Sequence, residues 1–490
     1  MKTNIINLCL LLVLMAGVNP QLSTHAQGTP PPPALQISCS NNQVIVSWPV
    51  VANPNNFGLK TSRSLSDNAV WSTVTNGAVL SGDTWSYRSG ADSNAAFYQL
   101  AASKHLYALG GQGGLGPIDT NKLQQEYAAG VRARLVEIGW DVLQPNLTTD
   151  WSSGTASTFQ QHIDTFIATG PDTVLILDLG MQYPPGWVVH TDPLKDQYGN
   201  VMTNAPFGRL PVNVYWSPTV RLYTSNYIRQ VFTHLNFRGK LWAVRVGPYE
   251  GEVLYPCSVS GSCNSGIGPD GGQSFWAFDA TARSKVPPAV TNWIPGQPSP
   301  SGEAQIFYNW YVDNLGDTFN FIAGVLRKYF NGYIAPVTPG QGITDESVID
   351  LMNNNLLKTD WCCYGTGDYW ARLFPEFSST NQNVLFWCSS FGDGSGSDDS
   401  GSNSGSNWSA AHMMSYYAGL LNRPIFAENP GANAFSTDEC GAAFNTTMQW
   451  DFQSLTNFHY IGLIWMRESD FGNPCAASLS NYQASIFQTP

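Results

Sequence analysis

The chain has 490 residues and a formal charge of −12, from 23 basic and 35 acidic side chains. That balance repels phosphate backbones and no basic cluster relieves it, so nucleic acid is excluded as a partner. Charged residues make up only 12% of the chain while aromatic residues reach 13%, with 17 tryptophans, a composition suited to uncharged ligands.

In chain order, Met1-Lys2 followed by the apolar run Leu8–Val18 and the small-residue site at Thr24-His25-Ala26 predicts a secretory leader over residues 1–26. The run is too short to cross a bilayer, which takes about 20 residues, and no other stretch is apolar enough. A secreted protein with no membrane partner is expected. Residues 27–34, containing Gly28–Pro33, form a stiff proline-rich linker.

From residue 35 to 102, short β-type runs such as QVIVSW, VWSTVT and AFYQLA alternate with Asn, Gly, Ser and Asp. This pattern predicts a small all-β sandwich. The segment Val44–Leu100 resembles the fibronectin type III-like modules appended to secreted bacterial enzymes. Trp48, Trp71 and Tyr98 are candidates for a ligand strip or for its core.

From His105 the pattern changes to apolar runs alternating with helical stretches, which predicts an α/β architecture with a parallel sheet. Strands are expected at Leu106–Leu109, Arg132–Trp140, Thr173–Asp178, Leu241–Val246, Tyr333–Val337, Val384–Cys388, Pro424–Glu428 and Ile461–Trp465. Helices are expected between them, at Thr120–Gly130, Val220–Leu235, Asn309–Tyr329, Ser409–Leu421 and Thr446–Phe458. Eight such strands predict one (β/α)8 barrel over residues 103–490. The Ser/Gly/Asp-rich run Asp393–Asn407 reads as a loop.

Cysteine spacing suggests bridges Cys257–Cys263 and Cys440–Cys475, while Cys39, Cys388 and the adjacent Cys362-Cys363 have no evident partner. No CxxC or HxxxH spacing occurs, so neither a metal nor another cofactor is expected.

In such a barrel the strands' C-terminal ends carry the active site. The fourth strand runs into Gly247-Pro248-Tyr249-Glu250-Gly251-Glu252-Val253-Leu254-Tyr255-Pro256, and the seventh ends in Phe426-Ala427-Glu428-Asn429-Pro430. Two glutamates across one barrel mouth are what glycoside cleavage demands: one acid to protonate the leaving oxygen, one carboxylate to attack or to activate water.

The arrangement resembles glycoside hydrolase clan A. Gly130–Pro145 (GVRARLVEIGWDVLQP) and Leu177–Val188 (LDLGMQYPPGWV), followed by Asp196–Asn200, resemble the second- and third-strand segments of family 42 β-galactosidases. Gly247–Pro256 is similar to the acid-bearing motif of β-amylases. The resemblance implies Glu252 as acid/base, with Glu250 its rival, and Glu428 as nucleophile. Glu428 also fits a helix N-terminal carboxylate. The clan's Asn before the acid is Gly251 here, which leaves that contact unassigned. Arg134, on the second strand where the clan often has an Arg, or Arg245 would hold Glu428 ionised, and Trp465 would floor the reactive subsite.

Arg134, Trp140, Gln182, Tyr249, Glu250, Tyr255, Trp465 and Glu468 are the candidate substrate contacts, with Asp141, Trp187 and Asp470 near them. Trp216, Trp276, Trp293 and Trp370 are candidates for outer subsites. Three functions stay open: a retaining hydrolase of a plant or algal β-polysaccharide (β-glucan, galactan or mannan), an inverting α-glucan hydrolase of β-amylase type, and a non-catalytic carbohydrate-binding protein.

Overall fold

The computed structural model describes residues 35–101 apart from 41–42, 50–57, 63–71, 74–77, 82–83 and 91–96. It further describes residues 105–486 apart from 111–115, 149–150, 152–153, 203–210, 250, 257–271, 340–343, 360–363, 379–382, 392–407, 430–450, 466–478, 480–481 and 483–485. The expected leader, the linker, the loop at 393–407, Trp71, Glu250, Glu468, Asp470 and the four cysteines of the expected bridges lie outside the described residues. The chain divides into two compact units, Met1–Ser103 and Lys104–Pro490.

The first unit consists of β1 (Gln36–Ser40), β2 (Gln43–Pro49), β3 (Gly58–Ser62), β4 (Ser72–Thr73), β5 (Ala78–Ser81), β6 (Thr84–Gly90) and β7 (Phe97–Ala101). They form two antiparallel sheets, ordered β1-β2-β6-β5 and β4-β3-β7. Alternate residues of β2 share a face. Val46 and Trp48 on that face pack with Leu59 of the other sheet, and Tyr98 lies against them. Trp48 and Tyr98 therefore belong to the core of the all-β unit.

In the second unit, β8 (Leu106–Leu109), β9 (Ala133–Glu137), β10 (Val174–Asp178), β11 (Leu241–Val246), β12 (Tyr333–Thr338), β13 (Phe386–Cys388), β14 (Ile425–Asn429) and β15 (Gly462–Trp465) are parallel. They close into an eight-stranded barrel, with β15 pairing back onto β8. The connecting helices include α1 (Thr120–Ala128), α2 (Trp140–Leu143), α3 (Thr155–Ala168), α4 (Gly186–Val189) and α5 (Pro218–His234). After them come α6 (Ala280–Lys285), α7 (Glu303–Leu326), α8 (Asp345–Asn353), α9 (Trp370–Ser378) and α10 (Ala410–Leu420), and residues 451–457 are also helical.

Local chemistry sets these boundaries. Asp119 caps α1 by accepting from the backbone N–H groups of Asn121 and Lys122, and Ser217 caps α5 just ahead of Pro218. Thr344 and Ser347 form a capping box on α8. The strand expected to reach Trp140 stops at Glu137, because Trp140 already opens α2.

Strand parity divides the core. Ala133 and Leu135, Val174 and Ile176, Leu385 and Trp387, and Phe426 and Ile464 fill the barrel interior. Val136, Leu175, Phe386, Ala427 and Trp465, on the opposite parity, pack in the layer shared with the helices.

Candidate active site

Continuing the inward parity to the C-terminal strand ends gives Glu137 on β9, Asp178 on β10, Arg245 on β11 and Glu428 on β14. The first three are neighbours in register, Asp178 pairing with Glu137 on one side and Arg245 on the other. From the fourth barrel strand, the Arg245 side chain reaches the seventh. Its Nη2 lies 3.0 Å from Glu428 Oε2, and Nη1 lies 3.6 Å from Asp178 Oδ2. Arg245 is 4% exposed and Glu428 7%.

The Trp387 indole N–H donates to Glu428 Oε2 at 2.5 Å, and the Arg245 guanidinium carbon sits 5.3 Å from the centre of the same ring system. Burial opposes the charge on Arg245, yet Glu428, Asp178, Glu137 and Glu252 together hold its guanidinium above the ordinary range.

Glu252 arrives on a tight turn. Tyr249 and Glu252 pair through their backbones, with Glu252 N donating to Tyr249 O at 2.7 Å. Gly251 within the turn has φ of +81°, a conformation glycine adopts without penalty. A Cβ there would lie 3.2 Å from Arg245 Nη2 and 3.6 Å from Gln182 Oε1. Gly247, at the turn's entry, is pressed against Gly251 so closely that a Cβ would fall 1.9 Å from the Gly251 carbonyl carbon. A side chain at position 251 would therefore lean on the Arg245 guanidinium. Glu252 is half-buried, and its Oε1 accepts from Ser389 Oγ at 2.8 Å.

The structure thus brings Glu252, Glu428, Arg245 and Gln182 together, with Tyr249 in the same turn. The Gln182 amide donates to Glu137 Oε1 at 3.0 Å.

Four expected contacts fall elsewhere, each for a reason of packing. Arg134 has outward parity on β9 and pairs with Glu126 of α1 at 2.6 Å, in the helix layer. Trp140 is fully buried, stacks on Tyr227 and donates its indole N–H to Gln144. Tyr255 is likewise fully buried, stacked on Tyr311 and hydrogen-bonded to Tyr311 O. Trp465 points outward, 1% exposed, with its ring edge-on to Tyr482.

The outer-subsite candidates are also core. Trp216 and Trp276 are buried and donate their indole N–H groups to Trp276 O and Pro256 O, and Trp293 and Trp370 are buried as well. Asp141 lies exposed at the start of α2, away from the charges at the barrel mouth.

Sequence reasoning missed Glu137, Asp178, Trp387 and Ser389. Three of the four share one recoverable signal: counted in twos from interior residues of the same strand, Glu137, Asp178 and Trp387 face inward. Ser389 lies just past a strand end and carried no such mark. Among the described residues no group of His, Cys, Asp and Glu is arranged to hold a metal ion.

A closed barrel of eight parallel strands with helices between them defines the (β/α)8 class. Within that class, a structural likeness joins the chain to the catalytic domain of β-amylase from Paenibacillus polymyxa, at 17% identity and a TM-score of 0.55, covering 79% of this chain and 99% of that one. Two β-galactosidases, from the haloarchaeon Halorubrum lacusprofundi and from Bacillus circulans sp. alkalophilus, each align at 12% identity and a TM-score of 0.49. They cover 78% and 79% of this chain, which spans 57% and 56% of theirs. No family model matches the chain, and no curated protein does.

Proposed function

We propose that the chain is a retaining glycoside hydrolase acting on a β-linked polysaccharide, with Glu428 as nucleophile and Glu252 as acid/base. The observation that carries this reading is the unequal setting of two glutamates facing one guanidinium. Glu428 is gripped by Arg245 and the Trp387 N–H, donors that favour an ionised carboxylate. Glu252 stands half-buried on an adjacent turn beside a neutral hydroxyl. Environments that push two carboxyls apart are how acid and base roles are divided.

In the reaction, Glu252 passes its proton to the glycosidic oxygen as the bond to the anomeric carbon breaks. Glu428 bonds to that carbon. Glu252 then takes a proton from water, whose oxygen displaces Glu428 and restores the free carboxylate. Gln182, which touches the same turn, is proposed as a sugar contact, and Tyr249 is proposed to shape the pocket wall.

A second reading, inverting cleavage of an α-glucan, is favoured by the Gly-Glu-x-x-Tyr-Pro run at 251–256 and by the β-amylase to which the barrel is similar. Export is proposed from the leader expected over residues 1–26, and an all-β module favours a polymer over a disaccharide. The test is incubation of the purified protein with α- and β-linked glycans, following the first-formed anomer by proton NMR. Retention on a β-glycan upholds the proposal, inversion on an α-glucan selects the second reading, and no cleavage of any glycan refutes both.

A further inference from the structure

We propose that Arg245 is a positioning residue whose single charge is divided between Glu428 and Asp178, so that Asp178, opposite Glu428 in the barrel, sets how firmly Glu428 holds its negative charge. The functional meaning rests on Glu428 being the nucleophile. The geometry is that of a bridge. One guanidinium nitrogen faces Glu428 at 3.0 Å and the other faces Asp178 at 3.6 Å. The third barrel strand carries Asp178 and the seventh Glu428, so the guanidinium from the fourth spans the mouth between them.

Asp178 is fixed from its far side, where Oδ1 accepts from Gly180 N at 2.8 Å. Among the described residues, every charged group bearing on Arg245 is an acid: Glu428 from β14, Asp178 from β10, Glu137 from β9 and Glu252 from the turn after β11. Glu137 is itself held by Gln182, and the Trp387 ring lies beside the guanidinium. A cation wholly committed to Glu428 would stabilise its carboxylate before attack and lose that stabilisation as the bond to sugar forms. Dividing the charge keeps the carboxylate aimed and ionised while leaving it reactive.

The two arms of the bridge predict shifts of opposite sign. Removing the charge of Arg245 raises the midpoint at which Glu428 takes up a proton, because a neighbouring cation favours the ionised form. Removing the charge of Asp178 lowers it, because Arg245 then serves Glu428 more fully. The experiment is a carbon-13 NMR titration of full-length protein labelled at the Glu side-chain carboxyl, with the Glu428 signal identified by its loss in Glu428→Gln. Arg245→Gln should raise the midpoint by roughly one unit or more, and Asp178→Asn should lower it by a smaller amount. Arg245→Lys should stay nearest the wild type.

Shifts of the same sign, or none, overturn the proposal. If Asp178→Asn does not fold, Asp178→Ser, which also removes the carboxylate, takes its place under the same sign test. The titration needs no substrate, so its outcome is independent of whether the chain cleaves a glycan. If Glu428→Gln keeps its turnover while the shifts appear, the nucleophile assignment fails and the charge sharing stands. If Glu428→Gln is inactive and no shift appears, the charge sharing alone fails.

Discussion

Replacing Arg134 by Met separates a stabilising role from a catalytic one. The guanidinium sits 2.6 Å from Glu126, with side-chain exposures of 4% and 0%, on the outer face of β9. Asp451 and Tyr482 complete this polar pocket between barrel and helices. Removing one partner of a buried pair strands the other, at a cost of about 3–5 kcal/mol. For the unit Lys104–Pro490, at about 2.1 cal/mol/K of unfolding entropy per residue, the melting midpoint should fall by roughly 4–6 °C. A second substitution, Glu126→Leu, removes the nearer stranded carboxylate, leaves Asp451 in place, and should recover part of that loss. The assay is paired: thermal unfolding by circular dichroism, and turnover well below the new midpoint. Stability should drop while turnover holds. Lost turnover with an unchanged midpoint would overturn the structural role and return Arg134 to the nucleophile.

Glu252→Gln should cut kcat by about 100- to 10,000-fold without moving the unfolding midpoint, since it exchanges a half-buried carboxyl for an amide of the same shape that cannot transfer the proton. Glu428→Gln should cost at least about 10,000-fold, measured on the same glycan. Gly251→Ala strains a backbone at φ +81° and presses on Arg245; a displacement of about 1 Å in a reacting group is worth about 100-fold, so kcat/KM should fall by up to that amount. Dialysis against EDTA should leave the turnover of the wild type unchanged, and a loss restored by a divalent ion would contradict the assignment of the chemistry to side chains alone.

The barrel was legible because parallel strands buried on both faces read as unbroken apolar runs between polar loops. All eight expected strands correspond to β8–β15, and β8 and β11 agree at both ends. Those same runs concealed which side chains face inward. In Ile461–Trp465 every position is Gly or apolar, so no alternation reveals that Trp465 faces the helices; a register slip of one residue exchanges the faces. Arg134 did carry a signal, because it shares parity with Arg132, which also points outward and binds Asp172 at 2.9 Å. Trp387 was hidden for another reason. Its ring fills the barrel core as the apolar pattern implies, while its N–H serves Glu428, and composition does not distinguish a residue that does both.

The proposed chemistry turns on a covalent bond between Glu428 and the sugar. That bond can be trapped by incubation with 2-deoxy-2-fluoro-β-glycosyl fluorides of the gluco, galacto and manno series, followed by peptide mass spectrometry. One covalent sugar is expected on the peptide bearing Glu428, and none on that peptide in Glu428→Gln. Attachment to Glu252 or to any other residue, or turnover of a glycan with inversion and no adduct, would contradict the nucleophile assignment.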